Sequence, residues 1–157
     1  MSGDDLAAGN DFCEEVVALA EREGAETVRI SAQVEAELVE LGEDERRDYL
    51  DGLGVNEGGL KSLIRASYRL LGLRTYFTTG DKETRAWTFR AGMTAPQAAG
   101  VIHTDFERGF IRAQTIGCEK LLEAGSLSEA RSKGWLRSEG KDYEVEEGDV
   151  MEFLFNV

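Results

Sequence analysis

The sequence predicts an α+β fold, in which helices come first and a sheet with helices on one face follows. Two observations lead to this prediction. Apolar residues recur at helical spacing up to Leu71, whereas from Leu73 onward they fall into short runs separated by turn residues. The charge changes at the same place, because most of the formal net charge of -13 lies in the first part, while residues 74–112 carry six basic and four acidic residues. We therefore expect two domains, over residues 1–73 and 74–157.

Capping residues and apolar spacing predict the elements of the first part. In order, they are a flexible start over residues 1–9, a helix capped by Asn10 or Asp11 and ended by Gly24, a short strand over 27–30, a helix capped by Ser31, and a charged helix over 43–50. A last helix carries the strongest amphipathic stripe, formed by Leu60, Leu63, Ile64, Tyr68 and Leu71.

Alternating apolar runs and turn residues predict the elements of the second part. They are a hairpin of strands 75–78 and 84–89 around Gly80-Asp81-Lys82, a helix opened by Thr94-Ala95-Pro96, a strand over 110–116, a helical segment over 119–134, and a closing hairpin of 143–145 with 150–155. Pro96 fits this scheme, because the first turn of a helix tolerates a proline.

Composition excludes several classes of protein. No run of about 18 apolar residues exists, so we expect no transmembrane helix and no membrane contact. The first twelve residues are acidic and polar, which is not the pattern of a signal peptide. Cys13 and Cys118 lie far apart and match no metal-ligand spacing. We expect two reduced thiols, no metal site and a cytoplasmic location.

Residues 54–62, GVNEGGLKS, come close to a phosphate-binding loop. That loop needs a glycine, four residues, and then Gly-Lys-Ser or Gly-Lys-Thr, so that backbone amides and the lysine surround the phosphates. Here Leu60 separates Gly59 from Lys61, which turns the lysine by about 100° around a helix. We therefore expect a turn that caps the following helix, with no triphosphate site and no catalytic residues.

The basic residues of the second part are interleaved with aromatic ones, a composition that suits stacking on unpaired bases and contact with phosphates. The candidate docking residues are Arg74, Lys82, Arg85, Trp87, His103, Arg108, Phe110 and Arg112. Strand alternation predicts that Arg85, Trp87 and Phe89 share one face of the sheet, and that Phe110, Arg112 and Gln114 point together. The same residues also fit an ordinary solvated surface, and this alternative stays open.

His103 is the only histidine of the chain. A single histidine most often makes a structural hydrogen bond to a neighbouring group. Contact with RNA or a partner is the second hypothesis for His103. Catalysis is the third, although no nucleophile or metal-ligand set accompanies it in the sequence.

Several long strings closely resemble the C-terminal part of the Obg-like (YchF) family of P-loop ATPases. They are LLGLRTYFT, RAWT, APQAAGVIHTDFE, EGKDY and GDVMEF, and they extend over most of the chain. The resemblance implies that residues 74–157 form a TGS domain with a ubiquitin-like β-grasp fold. It also implies that residues 1–73 are the last segment of a nucleotide-binding domain. Residues 115–136 depart from the family pattern.

The resemblance extends to function. In the family, Ser31-Ala32 would correspond to a loop that contacts the nucleotide base, and the bound cofactor is ATP or GTP with magnesium. The phosphate-binding half is not in this sequence, so we expect no cofactor and no hydrolysis here. The TGS domain implies docking on the ribosome or on structured RNA. Because the first part would lack its parent sheet, we also expect the 60–71 stripe to be exposed or to drive self-association.

Two alternatives to RNA docking remain. One is a protein-interaction module without an RNA role, which the acidic net charge favours. The other is a residual nucleotide binder that uses Ser31-Ala32 or the glycine turn at Gly54.

Overall fold

The computed structural model describes residues 4–80 and 83–156. The chain divides into two compact units, Met1–Leu70 and Leu71–Val157. Of the predicted hairpin turn, Asp81 and Lys82 lie outside the described residues.

Helices are the only regular secondary structure in the described part of the first unit. Its helices are α1 (Asp4–Ala8), α2 (Asp11–Glu23), α3 (Ala32–Glu40), α4 (Glu43–Gly52) and α5 (Gly59–Leu70). Asn10 begins α2, because its side chain accepts a hydrogen bond from the Cys13 N–H at 3.0 Å. Gly24 ends α2 with a φ of 66°, a conformation that glycine adopts without strain. Both caps were predicted from the sequence.

A small core holds the first unit together. It is formed by Leu6, Val34 and Leu38, with Leu41, Tyr49, Leu50, Leu53 and Val55 packed around them. Leu6 is only 5% exposed, which explains why residues 4–8 form a helix and are not flexible as predicted. The predicted strand over 27–30 is also wrong: the segment has no regular secondary structure, and no strand of the described first unit lies beside it.

Within the described residues, the second unit forms a five-stranded sheet crossed by helices. Its elements are β1 (Leu73–Thr79), β2 (Thr84–Arg90), α6 (Ala95–Ile102), α7 (Thr104–Arg108), β3 (Phe110–Gly117), α8 (Cys118–Ala124), α9 (Leu127–Ser132), β4 (Arg137–Glu139) and β5 (Asp149–Phe155). The strand order is β2-β1-β5-β3-β4, with β5 parallel to β1 and antiparallel to β3. A hairpin, a helix and a last strand inserted between the first and third define a β-grasp fold, which confirms the predicted fold class.

The predicted closing hairpin is wrong. Both sides of β5 are already occupied by β1 and β3, so residues 143–145 cannot pair with it. They run instead past the start of α6. There Glu144 forms an isolated bridge with Thr94, and the Val145 N–H donates to the Met93 carbonyl at 3.0 Å.

Helices cover both faces of the sheet, not one face as predicted. On the first face, Tyr76, Phe89 and Met151 pack under α6, and we call this the α6 face. Tyr76 is fully buried and donates its hydroxyl to the Ala98 carbonyl at 2.9 Å, so its polar atom is satisfied inside the core. On the second face, Ile116 packs in a separate cluster with residues of α8 and α9, and we call this the α9 face.

A polar network around a buried carboxylate fixes the segment that leads into β5. The Tyr143 hydroxyl donates to Asp149 Oδ2 at 2.7 Å, and Arg137 Nη2 donates to the Tyr143 hydroxyl at 2.8 Å. The Glu146 N–H donates to the same carboxylate oxygen at 3.0 Å. Asp149 is only 2% exposed. Burial raises the pKa of its carboxyl above the ordinary value, and the hydrogen bond from Tyr143 opposes this rise.

We expect Tyr143→Phe to destabilise the chain more at neutral pH than in acid. Losing the hydroxyl raises the folded-state pKa of Asp149 further above its unfolded value. A carboxyl raised in this way costs stability as the pH climbs from the ordinary aspartate range through its folded pKa. The loss should be small near about pH 3 and reach about 1.5–3 kcal/mol at neutral pH, measured by urea denaturation. In an Asp149→Asn background the loss should no longer depend on pH, and a pH-independent loss in the parent chain would contradict this assignment.

Candidate functional site

Two of the candidate residues form a stacked pair on β2. The register of β2 against β1 places Arg85 opposite Thr78 and Trp87 opposite Tyr76, so both residues lie on the α6 face. The Arg85 guanidinium lies 4.3 Å from the Trp87 ring centroid, a cation–π contact that fixes the arginine. The Trp87 indole N–H donates to Thr78 Oγ1 at 2.9 Å. Trp87 is half-buried against the core, so one side of its ring is unavailable for stacking on a base.

A bulge at the start of β3 changes the predicted faces. Phe110 pairs with Phe155, but Arg112 pairs with the next residue back, Leu154, so Ile111 is an extra residue. Phe110 therefore points into the α6 face and is only 4% exposed, whereas Arg112 points to the α9 face and is exposed. The prediction that Phe110 and Arg112 point together is wrong, and Phe110 is too buried to contact a partner.

The bulge also places two of the candidate docking arginines on opposite faces of the sheet. Arg85 lies on the α6 face and Arg112 on the α9 face. One signal in the sequence could have revealed this. Phe110 and Ala113 are both core residues, and their spacing of three does not fit the period of two of a regular strand.

Three exposed arginines nevertheless lie toward the same end of the sheet. Because β5 runs parallel to β1, with Val150 beside Phe77, the last residues of β5 lie at the end where β1 enters its turn. The first residues of β3 pair with them, and α7 leads into β3 at the same place. Arg85, Arg108 and Arg112 thus mark one end of the sheet, which we call the hairpin end.

Of the two remaining basic candidates, only Arg74 lies among the described residues. Arg74 is half-buried and pairs with Phe89 at the opposite end of β1. Lys82 lies outside the described residues.

The acidic side chain of Glu107 lies over Gly100 of α6, so closely that a Cβ on that glycine would clash with it.

His103 joins α6 to α7. Its Nδ1 accepts a hydrogen bond from the Asp105 N–H at 3.2 Å, so the imidazole is the N-cap of α7. The Asp105 carboxylate lies 3.5 Å from the same nitrogen. This agrees with the prediction that His103 makes a structural hydrogen bond to a neighbouring group. The side chain is 59% exposed, and contact with RNA or a partner stays a prediction.

Ser31 and Ala32 begin α3 in the first unit. Ser31 is fully buried, and its Oγ accepts a hydrogen bond from the Val34 N–H at 3.4 Å, which makes it the predicted N-cap. Ala32 is exposed at the first residue of the helix. A groove of about 620 Å³ in this unit is lined by residues 26–29 and the 54–57 turn, but by neither Ser31 nor Ala32. Their role as a base-contacting loop stays a prediction.

The glycine turn before α5 is occupied by internal groups. The Gly59 N–H donates to Glu35 Oε1 at 2.7 Å, so a carboxylate of the chain takes the place that an anion would need at this helix start. A Cβ on Gly59 would lie 2.8 Å from the Arg29 carbonyl oxygen, which explains why a glycine stands here. The turn therefore leads into α5, as predicted, and it packs the start of that helix against residues 29–30.

Two further observations concern residues 4–80 and 83–156. None of their helices is long and apolar enough to cross a membrane. No group of three or more histidine, cysteine, aspartate or glutamate side chains among them is arranged to hold a metal ion.

Comparison with known proteins places the chain in a family. The family model YchF-GTPase_C, described as "Protein of unknown function (DUF933)", matches residues 73–156. The Ribosome-binding ATPase YchF of Bacillus subtilis (strain 168) is 49% identical over 159 residues, covering 100% of this chain and 43% of the relative. The Ribosome-binding ATPase YchF of Escherichia coli O157:H7 is 53% identical over 148 residues, covering 94% of this chain and 41% of the relative.

A solved structure agrees with these sequence matches. The Schizosaccharomyces pombe YchF GTPase superposes with a TM-score of 0.82 at 31% identity, covering 96% of this chain and 40% of that protein. This chain spans about two fifths of the length of the relatives that it matches. Because the family model covers more than half of the chain, and the relatives match it almost from end to end, the chain belongs to the YchF family and corresponds to its C-terminal part.

Proposed function

We propose that this chain is the ribosome-docking part of a cytoplasmic YchF protein. In this proposal residues 74–157 are a TGS domain that makes the contact, and residues 1–73 are the last segment of a nucleotide-binding domain. Relatives named ribosome-binding ATPases share about half of its residues, which supports the ribosome as the partner. The observation that carries the proposal is the hairpin end, where Arg85, Arg108 and Arg112 are exposed on a folded domain.

The hairpin end suits a phosphate backbone. Strand β2 lies three strands away from β3, so Arg85 and Arg112 are separated by about 14 Å across the sheet and can reach different phosphates. Arg85 is held by Trp87 and loses little side-chain freedom on binding. Each arginine offers a planar fork of donors that matches phosphate oxygens.

We expect Arg108→Glu with Arg112→Glu to weaken binding to purified bacterial ribosomes. Two lost phosphate contacts should make the fall of log affinity with log salt shallower by about two units. The circular dichroism spectrum should stay unchanged. The matched control is Arg90→Glu with Lys120→Glu, which changes the charge equally on exposed residues at the other end of the sheet. Filter binding across a salt series measures both.

The two double variants also separate RNA docking from a protein-interaction role. If both double variants weaken ribosome binding equally, the effect is one of general charge, and docking through the hairpin end is contradicted. Ribosome binding that is insensitive to salt would instead favour a contact with ribosomal protein.

We further propose that the chain alone neither hydrolyses nor tightly binds ATP or GTP. Phosphoryl transfer needs backbone donors, a lysine and a metal around the phosphates, and the Gly59 amide is already bound by Glu35. Calorimetry with either nucleotide and magnesium should show no micromolar binding. Micromolar affinity would contradict the proposal, and Ser31→Ala would then test whether the α3 start contributes.

Self-association is a separate proposal, supported by the exposed stripe of α5. Leu60, Leu63 and Ile64 are 54%, 42% and 51% exposed, a larger apolar surface than a single helix usually presents to water. We expect sedimentation velocity to show mass that rises with concentration, and Ile64→Asp to reduce it. Leu122→Asp is the control, because Leu122 is 76% exposed and lies in the other unit. A monomer at all concentrations would contradict the proposal.

A further inference from the structure

We infer that the outer edge of β2 is a docking site for an extended, acidic polypeptide segment of a partner protein. Strand β2 is the first strand in the order β2-β1-β5-β3-β4, so within the described residues it has a neighbour on one side only. An edge strand can pair with a further strand on its outer side. This inference does not depend on ribosome docking.

The hydrogen bonds of the hairpin show which groups point outward. The Ala91 N–H donates to the Gly72 carbonyl at 2.8 Å, and the Gly80 N–H donates to the Glu83 carbonyl at 3.1 Å. In an antiparallel pair, residues that exchange such bonds alternate with residues that do not. The odd-numbered residues of β2 therefore bond to β1, whereas Thr84 and Ala86 direct their N–H and C=O groups away from it. Arg90 directs its N–H away as well, but its C=O already accepts a hydrogen bond from the Met93 N–H at 3.2 Å.

This edge has few of the features by which proteins protect exposed strands. Natural edges are shortened, bulged, interrupted by proline or covered by other elements. The β1–β2 register runs without a shift over all seven residues of β2, which contain neither proline nor glycine. Ala86 is exposed at its centre and offers no bulk to block an incoming strand. The opposite edge strand, β4, has only three residues.

Charge indicates the kind of segment that fits. β2 contains Arg85 and Arg90 and no acidic residue, although the chain as a whole has a net charge of -13. A second copy of β2 would bring arginines beside arginines, which is unfavourable across strands. An acidic strand places opposite charges there instead.

Backbone chemistry favours polypeptide over RNA at this edge. Phosphate oxygens only accept hydrogen bonds, so they satisfy the outward amides of Thr84 and Ala86 but are repelled by the outward carbonyls that alternate with them. Another strand supplies both donors and acceptors at the same spacing.

The test is a titration of the isotope-labelled chain with the peptide Glu-Val-Glu-Val-Glu-Val, acetylated and amidated at its ends. We expect amide NMR shifts concentrated at Thr84, Ala86 and Arg90, slowed hydrogen exchange at these amides, and affinity at least tenfold above that of Lys-Val-Lys-Val-Lys-Val. No shifts at millimolar peptide, or shifts centred outside β2, would overturn the inference. The same amides responding to a uridine hexanucleotide but not to the acidic peptide would assign the edge to RNA and also overturn it.

A single substitution isolates the outward hydrogen bond. Ala86→Pro removes the N–H that points away from β1 and leaves the β1–β2 hydrogen bonds in place, as edge strands allow. We expect it to weaken binding of the acidic peptide at least tenfold, whereas Ala86→Val, which keeps the N–H, stays within threefold. Equal affinity of the two variants would overturn the inference.

A second measurement covers the case in which Ala86→Pro does not fold. The acidic peptide is then methylated on alternate backbone nitrogens and titrated into the parent chain. We expect methylation of one set of alternate nitrogens to abolish binding, because only one edge of the peptide faces β2. If neither set of methylated nitrogens changes the binding, strand pairing is contradicted.

Discussion

The position of β5 determines the rest of the second unit. Although it is the last strand in the chain, it lies at the centre of the sheet and pairs with both β1 and β3. Its successive residues Val150 and Met151 enter different cores, one under α8 and α9 and one under α6. Neither face of the sheet is complete without it. Because these pairings join residues more than 30 positions apart, the unit must close long loops before they form, and local signals alone cannot define it.

The network around Asp149 makes this arrangement specific. A carboxylate that is 2% exposed is costly to bury, and it is tolerated because Tyr143 and the Glu146 amide donate to it. These bonds hold the chain as it turns from the start of α6 into β5. The Thr115 hydroxyl is the contrasting case, since it is buried on the α6 face and has no hydrogen-bond partner among the described residues. It contributes shape to the core but no polar bond.

Sequence reasoning succeeded where the signal is local. The caps at Asn10 and Ser31, the first hairpin, the helix that begins at Thr94 and the third strand all depend on residues within a few positions of one another. It failed where the outcome depends on a distant partner. Residues 143–145 alternate like a strand, but the place beside β5 is taken by β1 and β3. Residues 27–30 are also β-like in composition, but no strand of the described first unit pairs with them.

The candidate site shows the same limit. The arginines that composition singles out are exposed, but the period of two that predicts their faces is broken by the bulge at Ile111. A bulge shifts the register by one residue, and everything before it changes face. Strand alternation therefore predicts a surface position for Phe110, which is wrong because Phe110 lies in the core. The shared end of the sheet could be found only from the strand order and register.

An acidic chain can still present a local basic surface, because charge interactions are short-ranged in salt. At physiological ionic strength they decay over about 8 Å, less than the width of the hairpin end. The field at Arg108 and Arg112 is therefore set by near neighbours and not by the net charge of -13. The nearest acids in sequence are those of α7. Asp105 lies beside the His103 ring, and the Glu107 side chain folds back over Gly100 of α6. The Glu107 carboxylate is thus drawn toward α6, while Arg108 and Arg112 are exposed to solvent.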